Sequence, residues 1–509
     1  MRNDVDVVIV GGGPVGLWLA CELALAKINV AVLERRTRRV TQSRALLIHG
    51  RTLEVLALRG LADRFVAQGR PIPSCHFGLL DTRLDLSVFD TRFPFSLLLP
   101  QAKTEEFFEE RLLELGVEMK RGHLVETVTQ QEDGVVVTGR NDKAPFRFSA
   151  RYVIGADGAR SLVRQTAAIA FSGTPARHTF MLGDVVLDAP PQRPMISMVN
   201  ESGGLLVVPF GDGKHHRVVA VNAADLHVAS SVPLPLSELA AAMTRIAGKD
   251  FLARDPIWLS RFTDETRLAE HYRNDRILLA GDAAHIHAPT GGQGMNVGIQ
   301  DAMNLGWKLA SVLRGVQPDC FLETYERERH PVGEALRRNT LTQLALLTSF
   351  DPPTFALRQT FEDLLRVPEV NRQLANELSG FGIAYPQPLF QPASGWEHRA
   401  RISGRRLPDM EIMLLDGSRT TLYRLLVNGC WVQLKFSAEI ETYSQAHSIV
   451  IAHLAPGTKT GLPPHIVSAL IRPDGYLAHL RPANDEGSAS DGGGASERGD
   501  RRIVGKEAA

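Results

Sequence analysis

Residues 5–34 read VDVVIVGGGPVGLWLACELALAKINVAVLE, and the order of residue types in this stretch decides the fold. Residues 5–10 are a short, mostly β-branched run of the kind buried in a parallel sheet. Gly11, Gly12, Gly13 and Pro14 then interrupt the chain. Residues 14–27 place Leu17, Leu19, Ala20, Leu23 and Ala24 along a helix, and 29–33 form a second strand that ends at Glu34. Strand, glycine turn, helix and strand make a βαβ unit. Because Glu22 alone carries charge between Val7 and Ala26, a signal anchor is the competing reading. The Gly/Pro break and the acids Asp4 and Asp6, where a basic run would be needed, argue against it.

The turn itself has the spacing Gly11-x-Gly13-x-x-Gly16. Gly11 permits the tight turn, Gly13 lets backbone approach a pyrophosphate, and Gly16 lets helix and strand pack closely. The helix N-terminus offers unpaired N–H groups to phosphate oxygens. Glu34 stands where a carboxylate binds a ribose hydroxyl, and an acid there repels a 2′-phosphate. The unit is expected to hold FAD or NAD, and not NADP.

Two more strand-then-glycine turns follow. Residues 151–155 lead into Gly155-Ala156-Asp157-Gly158-Ala159-Arg160-Ser161. Residues 276–280 lead into Gly281-Asp282-Ala283-Ala284-His285, and then into Pro289-Thr290-Gly291-Gly292-Gln293-Gly294-Met295-Asn296. Each could merely stop a strand. Each also sets a short acid at a strand end, where it can bond a polyol, or glycines before a helix, where N–H groups meet an anion or carbonyl.

Elsewhere the pattern predicts helices over 51–68, 103–115, 296–314 and 320–348, antiparallel strands at 123–129 and 134–139, and strand-like runs between 175 and 265 such as 205–210 and 216–221. A Pro-containing linker covers 384–398, and a third region reaches about residue 482. No internal repeat is visible. The chain has 509 residues, enough for roughly two to four domains. Lys+Arg and Asp+Glu are both 57, so the formal charge of zero gives no footing for nucleic acid or an anionic membrane. The cysteines, Cys21, Cys75, Cys320 and Cys430, are too far apart for a metal knuckle or a CxxC pair, and are expected to be reduced thiols of a cytoplasmic protein.

Taken together, the three glycine motifs resemble the group A flavoprotein monooxygenases, the fold of p-hydroxybenzoate hydroxylase, and in particular the aromatic-polyketide and phenol hydroxylase branch. The resemblance covers residues 1 to about 480. It implies an α/β architecture. A Rossmann-like FAD-binding domain (1–175 and 270–345) is interleaved with a mostly antiparallel β-sheet substrate domain (176–269), and residues 70–100 contribute to the substrate site. A helical connection (346–395), a thioredoxin-like C-terminal domain without CxxC (396–482) and a disordered tail (483–509) complete it. The C-terminal likeness rests on Gly404-x-x-Leu407-Pro408-Asp409, on residues 431–436 and on Arg472-Pro473-Asp474-Gly475-Tyr476.

The resemblance also assigns roles. Gly11, Gly13, Pro14, Val15 and Gly16 would hold the FAD pyrophosphate. Glu34 would bind the adenosine ribose with Arg35 beside it, and Arg44 would contact the pyrophosphate. Gln101 would lie near the ribityl chain and backbone of Val125 near adenine. Asp157, with Gly158 and Arg160, belongs to a motif tied to both FAD and NADPH, with Arg164 as a helper. Asp282 would bind the ribityl oxygens, Pro289 would sit at the reactive flavin edge, and Gly294, Met295 and Asn296 would meet the pyrimidine end. The implied activity is hydroxylation of an aromatic or polyketide-like small molecule with NADPH (or NADH) and O2. It runs through a flavin C4a-hydroperoxide in a site that excludes water. A homodimer is expected, and no metal. No side chain is singled out as a catalytic base.

Alternatives on the same fold are Baeyer–Villiger oxidation, epoxidation or antibiotic inactivation. A flavin oxidase, a halogenase or a non-catalytic nucleotide-binding protein stand further off. The run Phe89, Phe93, Phe95, Leu97, Leu98, Leu99 reads as a pocket wall or as a buried strand. Arg35, Arg36, Arg38 and Arg39 read as a solvated face, or as a lure for coenzyme phosphates. His285-x-His287 reads as a loop beside the flavin in preference to a metal pair, and His215-His216 as an exposed turn.

Overall fold

The structure is a computed structural model that describes residues 4–193, 195–385, 404–436, 449–455, 462 and 466–482. The expected tail and most of the expected linker lie outside the described residues.

Val5–Val10 (β1) and Val30–Glu34 (β2) run parallel, Val7 opposite Val30 and Val10 opposite Leu33. On its other side β1 pairs in parallel with Pro145–Gly155, which pairs in parallel with Ile277–Leu279. Apart from Glu22, which is buried in a pair with Arg59, Pro14–Leu25 (α1) is apolar on every side because it is covered on every side. It packs between the helices Gln101–Glu114 and Gly294–Leu313. Since β1, Pro145–Gly155 and Ile277–Leu279 point the same way, their carboxyl ends bring all three glycine turns to one edge of the sheet. That is where open α/β sheets bind ligands. The strands Leu124–Gln131 and Gly134–Arg140 pair antiparallel and extend the same sheet through Pro145–Gly155.

Between Pro145–Gly155 and Ile277–Leu279 the chain builds a second, five-stranded antiparallel sheet. Its order is Ile196–Asn200, Gly203–Pro209, His216–Asn222, Thr179–Leu187, Ala253–Thr263. Strand alternation gives it two faces. Leu205, Val207 and Ala220 pack on Leu239 and Met243 of the helix Leu236–Ala247. Leu206, Val208 and Phe210 turn the other way, onto Leu46, Leu98 and Ile72. Ile72 and Leu98 thus lie against the second sheet.

Several expectations change. The helix over 51–68 is two helices, Gly50–Ala57 and Ala62–Gln68, parted where Gly60 turns left-handed at φ 73°. The helix Leu236–Ala247 inside the sheet region was not foreseen. In the third region Ile466–Ile471 and Leu477–Pro482 form a hairpin, with Gly475 at φ 79° in its turn. The run 89–99 is no single wall. Only Ser96–Leu98 is a strand; Phe89 packs with the later helices, Phe93, Leu97 and Leu99 enter the main core, and Leu98 alone faces the second sheet. His215 and His216 are half-buried, not exposed, and His215 is bonded to Asp212 at 2.6 Å.

Two helices, Pro352–Leu365 and Pro368–Ser379, follow the long helix Glu323–Ala345. Beyond them, Trp431–Lys435 pairs in parallel with Ile449–His453 and antiparallel with Ile466–Ile471. This C-terminal unit does not stand apart, for Leu422, Val432, Leu434 and Leu477 share the core of α1 and β1. No helix among the described residues is long and apolar enough to cross a membrane.

Candidate active site

The first turn is built as its glycines require. Gly11 has φ 109°, and a Cβ there would lie 2.2 Å from the carbonyl of Ala156, so the first and second turns touch through backbone. A Cβ on Gly16 would lie 2.0 Å from the carbonyl of Gly11, which locks α1 against β1. Gly13 is different, because a Cβ there would meet nothing within 4 Å. Space is open over the α1 N-terminus, where Pro14 supplies the first helical residue without an N–H to strand. The side chain of Val15 does not face that space; it packs against Gly281 and Gly298.

Glu34 is buried, and its carboxylate accepts from Gly12 N at 2.8 Å and Arg36 N at 2.9 Å. It is thereby held at the mouth of the turn. Arg35, Arg36, Arg38 and Arg39 are exposed, and Arg39 pairs with Glu109 at 2.6 Å. Arg44 is also exposed. Its backbone is gripped by Arg217, which reaches over from the second sheet to the carbonyls of Ser43 and Arg44 while paired to Asp184 at 2.8 Å. Gln101 accepts from Ala45 N at 3.2 Å and donates to Glu105 at 2.8 Å, so its side chain braces the Arg44 loop. Val125 is a buried residue opposite Gly139, beside a register shift in the strand pair.

In the second turn Asp157 accepts from Val163 N at 3.3 Å through one oxygen, while the other is buried without a partner. Burial raises its pKa against several hydrogen bonds that lower it. Ser161 caps the following helix by accepting from Arg164 N at 3.0 Å. Arg164 then donates to the carbonyls of Ala159 and Ala283, both at 2.9 Å, and ties the second turn to the third. Arg160 is exposed.

Asp282 is open to solvent, yet crowded enough that burial raises its pKa, opposed by His285 and Arg44. The turn behind it is fixed by Asp301, which accepts from His285 Nε2 at 2.7 Å and from Arg329 Nε at 2.7 Å, and meets Gly281 N at 3.3 Å. Burial works against the Asp301 carboxylate, but Arg329 and His285 hold its pKa below the usual range. His285 is engaged in this pair, and His287 donates from Nδ1 to the carbonyl of Ala288 at 2.6 Å.

Pro289 is exposed at the cleft, followed by two left-handed residues, Gly291 and Gly292. The helix Gly294–Leu313 starts one residue further on, after Gln293. Its first turn leaves the N–H groups of Gly294, Met295 and Asn296 outside the helical ladder. The Asn296 side chain is spoken for: Oδ1 accepts from His49 N at 2.8 Å, and Nδ2 donates to the carbonyls of Leu47 and Gly292, both at 2.9 Å.

Sequence reasoning passed over Arg217, Asp184, Asp301, Arg329 and His49. Asp184 and His49 stand out only as polar residues beside apolar runs, whereas Arg329 is one charge among several in 326–330 and gives no such signal.

One edge of the sheet thus carries an open glycine turn at a helix N-terminus, a carboxylate at the end of β2, a buried carboxylate oxygen of Asp157 lacking a partner, and a third acid, Asp282, exposed to solvent. A pyrophosphate, a ribose and a polyol chain need these groups in this order, so the residues present fit FAD. Comparison with known proteins agrees. Residues 4–340 match the family model described as FAD binding domain. The chain is 43% identical to the uncharacterized aromatic compound monooxygenase YhjG of Bacillus subtilis (strain 168), over 94% of each chain. It is 38% identical to a 12-dehydrotetracycline 5-monooxygenase/anhydrotetracycline 6-monooxygenase of Streptomyces rimosus, over 93% of this chain and 94% of the relative. Among solved structures, OxyS anhydrotetracycline hydroxylase from Streptomyces rimosus superposes with a TM-score of 0.85 at 36% identity, covering 94% of this chain and 97% of that one. The chain belongs to the FAD-binding-domain family and is an FAD-dependent monooxygenase.

Proposed function

We propose that this monooxygenase hydroxylates an aromatic, polyketide-like small molecule, taking electrons from NADPH or NADH and one oxygen atom from O2. The observation that carries the reading is the apolar face of the second sheet. Leu206, Val208 and Phe210 oppose Leu46 and Leu98 on one side. Phe180, Val221 and Phe262 pack with Ala288, next to Pro289, on the other. Phe180 and Phe262 stack with centroids 5.1 Å apart. An apolar sheet face that meets the chain at Ala288, beside Pro289, suits a flat, apolar substrate and keeps water away. Relatives named for tetracycline precursors agree with it.

Bound FAD supplies the redox and oxygen chemistry, and the chain's residues bind and orient it. Gly11, Gly13, Pro14, Val15 and Gly16 present backbone to the pyrophosphate, with Arg44 across the cleft. Glu34 takes the adenosine ribose, with Arg35 at its side and backbone of Val125 near adenine. Asp282 takes the ribityl hydroxyls, with Gln101 holding the Arg44 loop against them. Asp157 serves the second turn. Gly294, Met295 and Asn296 offer helix-end N–H groups to the pyrimidine oxygen, where a positive dipole end favours negative charge.

Residues 1–175 and 270–345 are read as the FAD domain, 176–269 as the substrate sheet and 346–395 as a helical connection. Residues 396–482 are read as a thioredoxin-like domain. A parallel strand pair continued by an antiparallel hairpin supports that last reading. Cys430 there has no second thiol in CxxC spacing, so its role is structural. A homodimer and a cytoplasmic setting complete the proposal.

The test is aerobic NADPH and NADH oxidation by the FAD-loaded protein with a panel of phenols and aromatic polyketides. Oxidation stimulated by one compound, with a product heavier by one oxygen, is expected. Oxidation indifferent to every aromatic compound would remove the hydroxylase reading.

A further inference from the structure

The turn that carries Pro289 is held from behind by a histidine outside all three glycine motifs. His49 is 1% exposed, and Ser96 beside it is equally buried. His49 Nε2 lies 2.9 Å from the carbonyl oxygen of Gly291, and Nδ1 lies 2.8 Å from Ser96 Oγ. A carbonyl only accepts, so Nε2 bears the proton and Nδ1 accepts from the Ser96 hydroxyl. With that proton committed, the contact of 3.3 Å between Cys75 Sγ and Ser96 Oγ has the thiol as donor. One directed chain therefore runs from Cys75 through Ser96 and His49 to Gly291.

The far end of this chain meets a backbone that needs holding. Gly291 and Gly292 are both left-handed, at φ 69° and 64°. Two adjacent glycines leave the peptide between them free to flip. In a trans peptide the carbonyl and the next N–H point opposite ways. Fixing the Gly291 carbonyl on His49 therefore aims Gly292 N–H at the carbonyl of Pro289, which it reaches at 3.1 Å. Asn296 clamps the same two loops a second time, through His49 N and the carbonyls of Leu47 and Gly292.

We propose that His49 is a positioning residue: its Nε2–H fixes the Gly291–Gly292 peptide plane and thereby the turn that presents Pro289 to the flavin edge. This rests on the assignment of 289–296 as the flavin-edge loop. Burial pushes the imidazole down to about 4, against the bond to Gly291, which suits a fixed neutral donor. A ring whose proton points into a backbone carbonyl has no route for shuttling it.

The test compares His49→Leu with His49→Gln, whose amide N–H can replace Nε2–H. Three quantities are read: bound FAD per chain, the flavin absorption spectrum, and peroxide released per NADPH consumed. His49→Leu is expected to keep its FAD, since the pyrophosphate cradle is untouched. Its flavin spectrum should shift, and its peroxide fraction should rise about tenfold, the size of one lost hydrogen bond. His49→Gln should return both toward wild type. A wild-type spectrum and peroxide yield in His49→Leu, or equal impairment of both variants, would overturn the proposal. Should His49→Leu not fold, nitrogen NMR of the wild-type imidazole decides. A neutral ring protonated at Nε2 at neutral pH supports the role, and an Nδ1-protonated ring or an imidazolium overturns it. Wild-type protein that binds no FAD would defeat the flavin reading itself, whereas bound FAD indifferent to residue 49 defeats this inference alone.

Discussion

Gly11, Gly13 and Gly16 look alike in the sequence and differ in what surrounds them. Alanine at Gly11 or Gly16 drives a Cβ to 2.2 or 2.0 Å from a backbone carbonyl, so neither can relax by moving a side chain. Each variant should lose stability by roughly 1–3 kcal/mol or more, even without cofactor. Gly13→Val meets no protein atom near its Cβ. It should unfold at the wild-type temperature as apoprotein, yet lose FAD affinity by at least about tenfold. Calorimetry of the apoproteins and fluorescence titration with FAD separate the two effects; a destabilised Gly13→Val apoprotein would show that the open space has another use. Asp282 makes a second residue-scale prediction. Its side chain braces nothing by a hydrogen bond among the described residues, so Asp282→Ala should fold normally and elute without FAD. Full flavin occupancy in that variant would strike Asp282 from the ribityl site. The motif was legible because its three glycines lie within six positions of one another, but the contact of Gly11 with Ala156 joins two distant turns and was not. The orphaned oxygen of Asp157 was not, since orphanhood depends on what lies far away in sequence.

At the scale of elements, the helix Gly294–Leu313 does more than end a loop. Its buried face carries Gln300, Asp301, Asn304 and Lys308, a polar stripe that the helical period sets along one side. Asp301 joins Arg329 of the next helix to His285 of the third turn. Asp301→Asn keeps the shape and removes the charge, leaving Arg329 buried without its counter-ion. The expected cost is about 3–5 kcal/mol of unfolding free energy, with weaker FAD binding because the Asp282 turn loses its anchor. Chemical denaturation of the apoprotein measures the first and FAD titration the second. A stability loss with unchanged FAD affinity would confine Asp301 to the core. The βαβ unit, the antiparallel pair near 124–140 and the two long helices were readable from periodicity, which is local. The helix Leu236–Ala247 was masked by its strand-rich surroundings, and the break at Gly60 by continuous apolar spacing. The aromatic run 89–99 was misread because consecutive residues in irregular backbone scatter to different cores.

The whole molecule is held together where the C-terminal unit meets the FAD-binding part. Arg472 donates to both carboxylate oxygens of Glu328 at 2.9 Å and pairs with Asp474, and Asp474 accepts from Trp307 Nε1 at 3.1 Å. Arg51 reaches the carbonyl of Asp474 at 2.8 Å. Burial opposes the charge on Glu328, but Arg472 and Lys308 pull its pKa from 4.5 down to about 2. A carboxylate favoured in the folded state stabilises fully above its unfolded pKa and loses that contribution as pH falls through its folded pKa. Wild-type stability should therefore fall between pH 4.5 and about 2 more steeply than that of Glu328→Gln. Thermal unfolding across that range checks this, and parallel curves would deny the junction its ionic character. The junction was invisible in the sequence because Glu328 and Arg472 are 144 residues apart. The proposed reaction engages every part of the chain, since FAD held at the three turns would deliver an oxygen atom from O2 to an aromatic substrate. The most direct measurement is mass spectrometry of the product formed by the FAD-loaded protein with NADPH under isotopically heavy O2. One heavy oxygen is expected in the product. An unlabelled product, or NADPH consumed only to labelled peroxide with every aromatic compound tried, would contradict the proposed reaction.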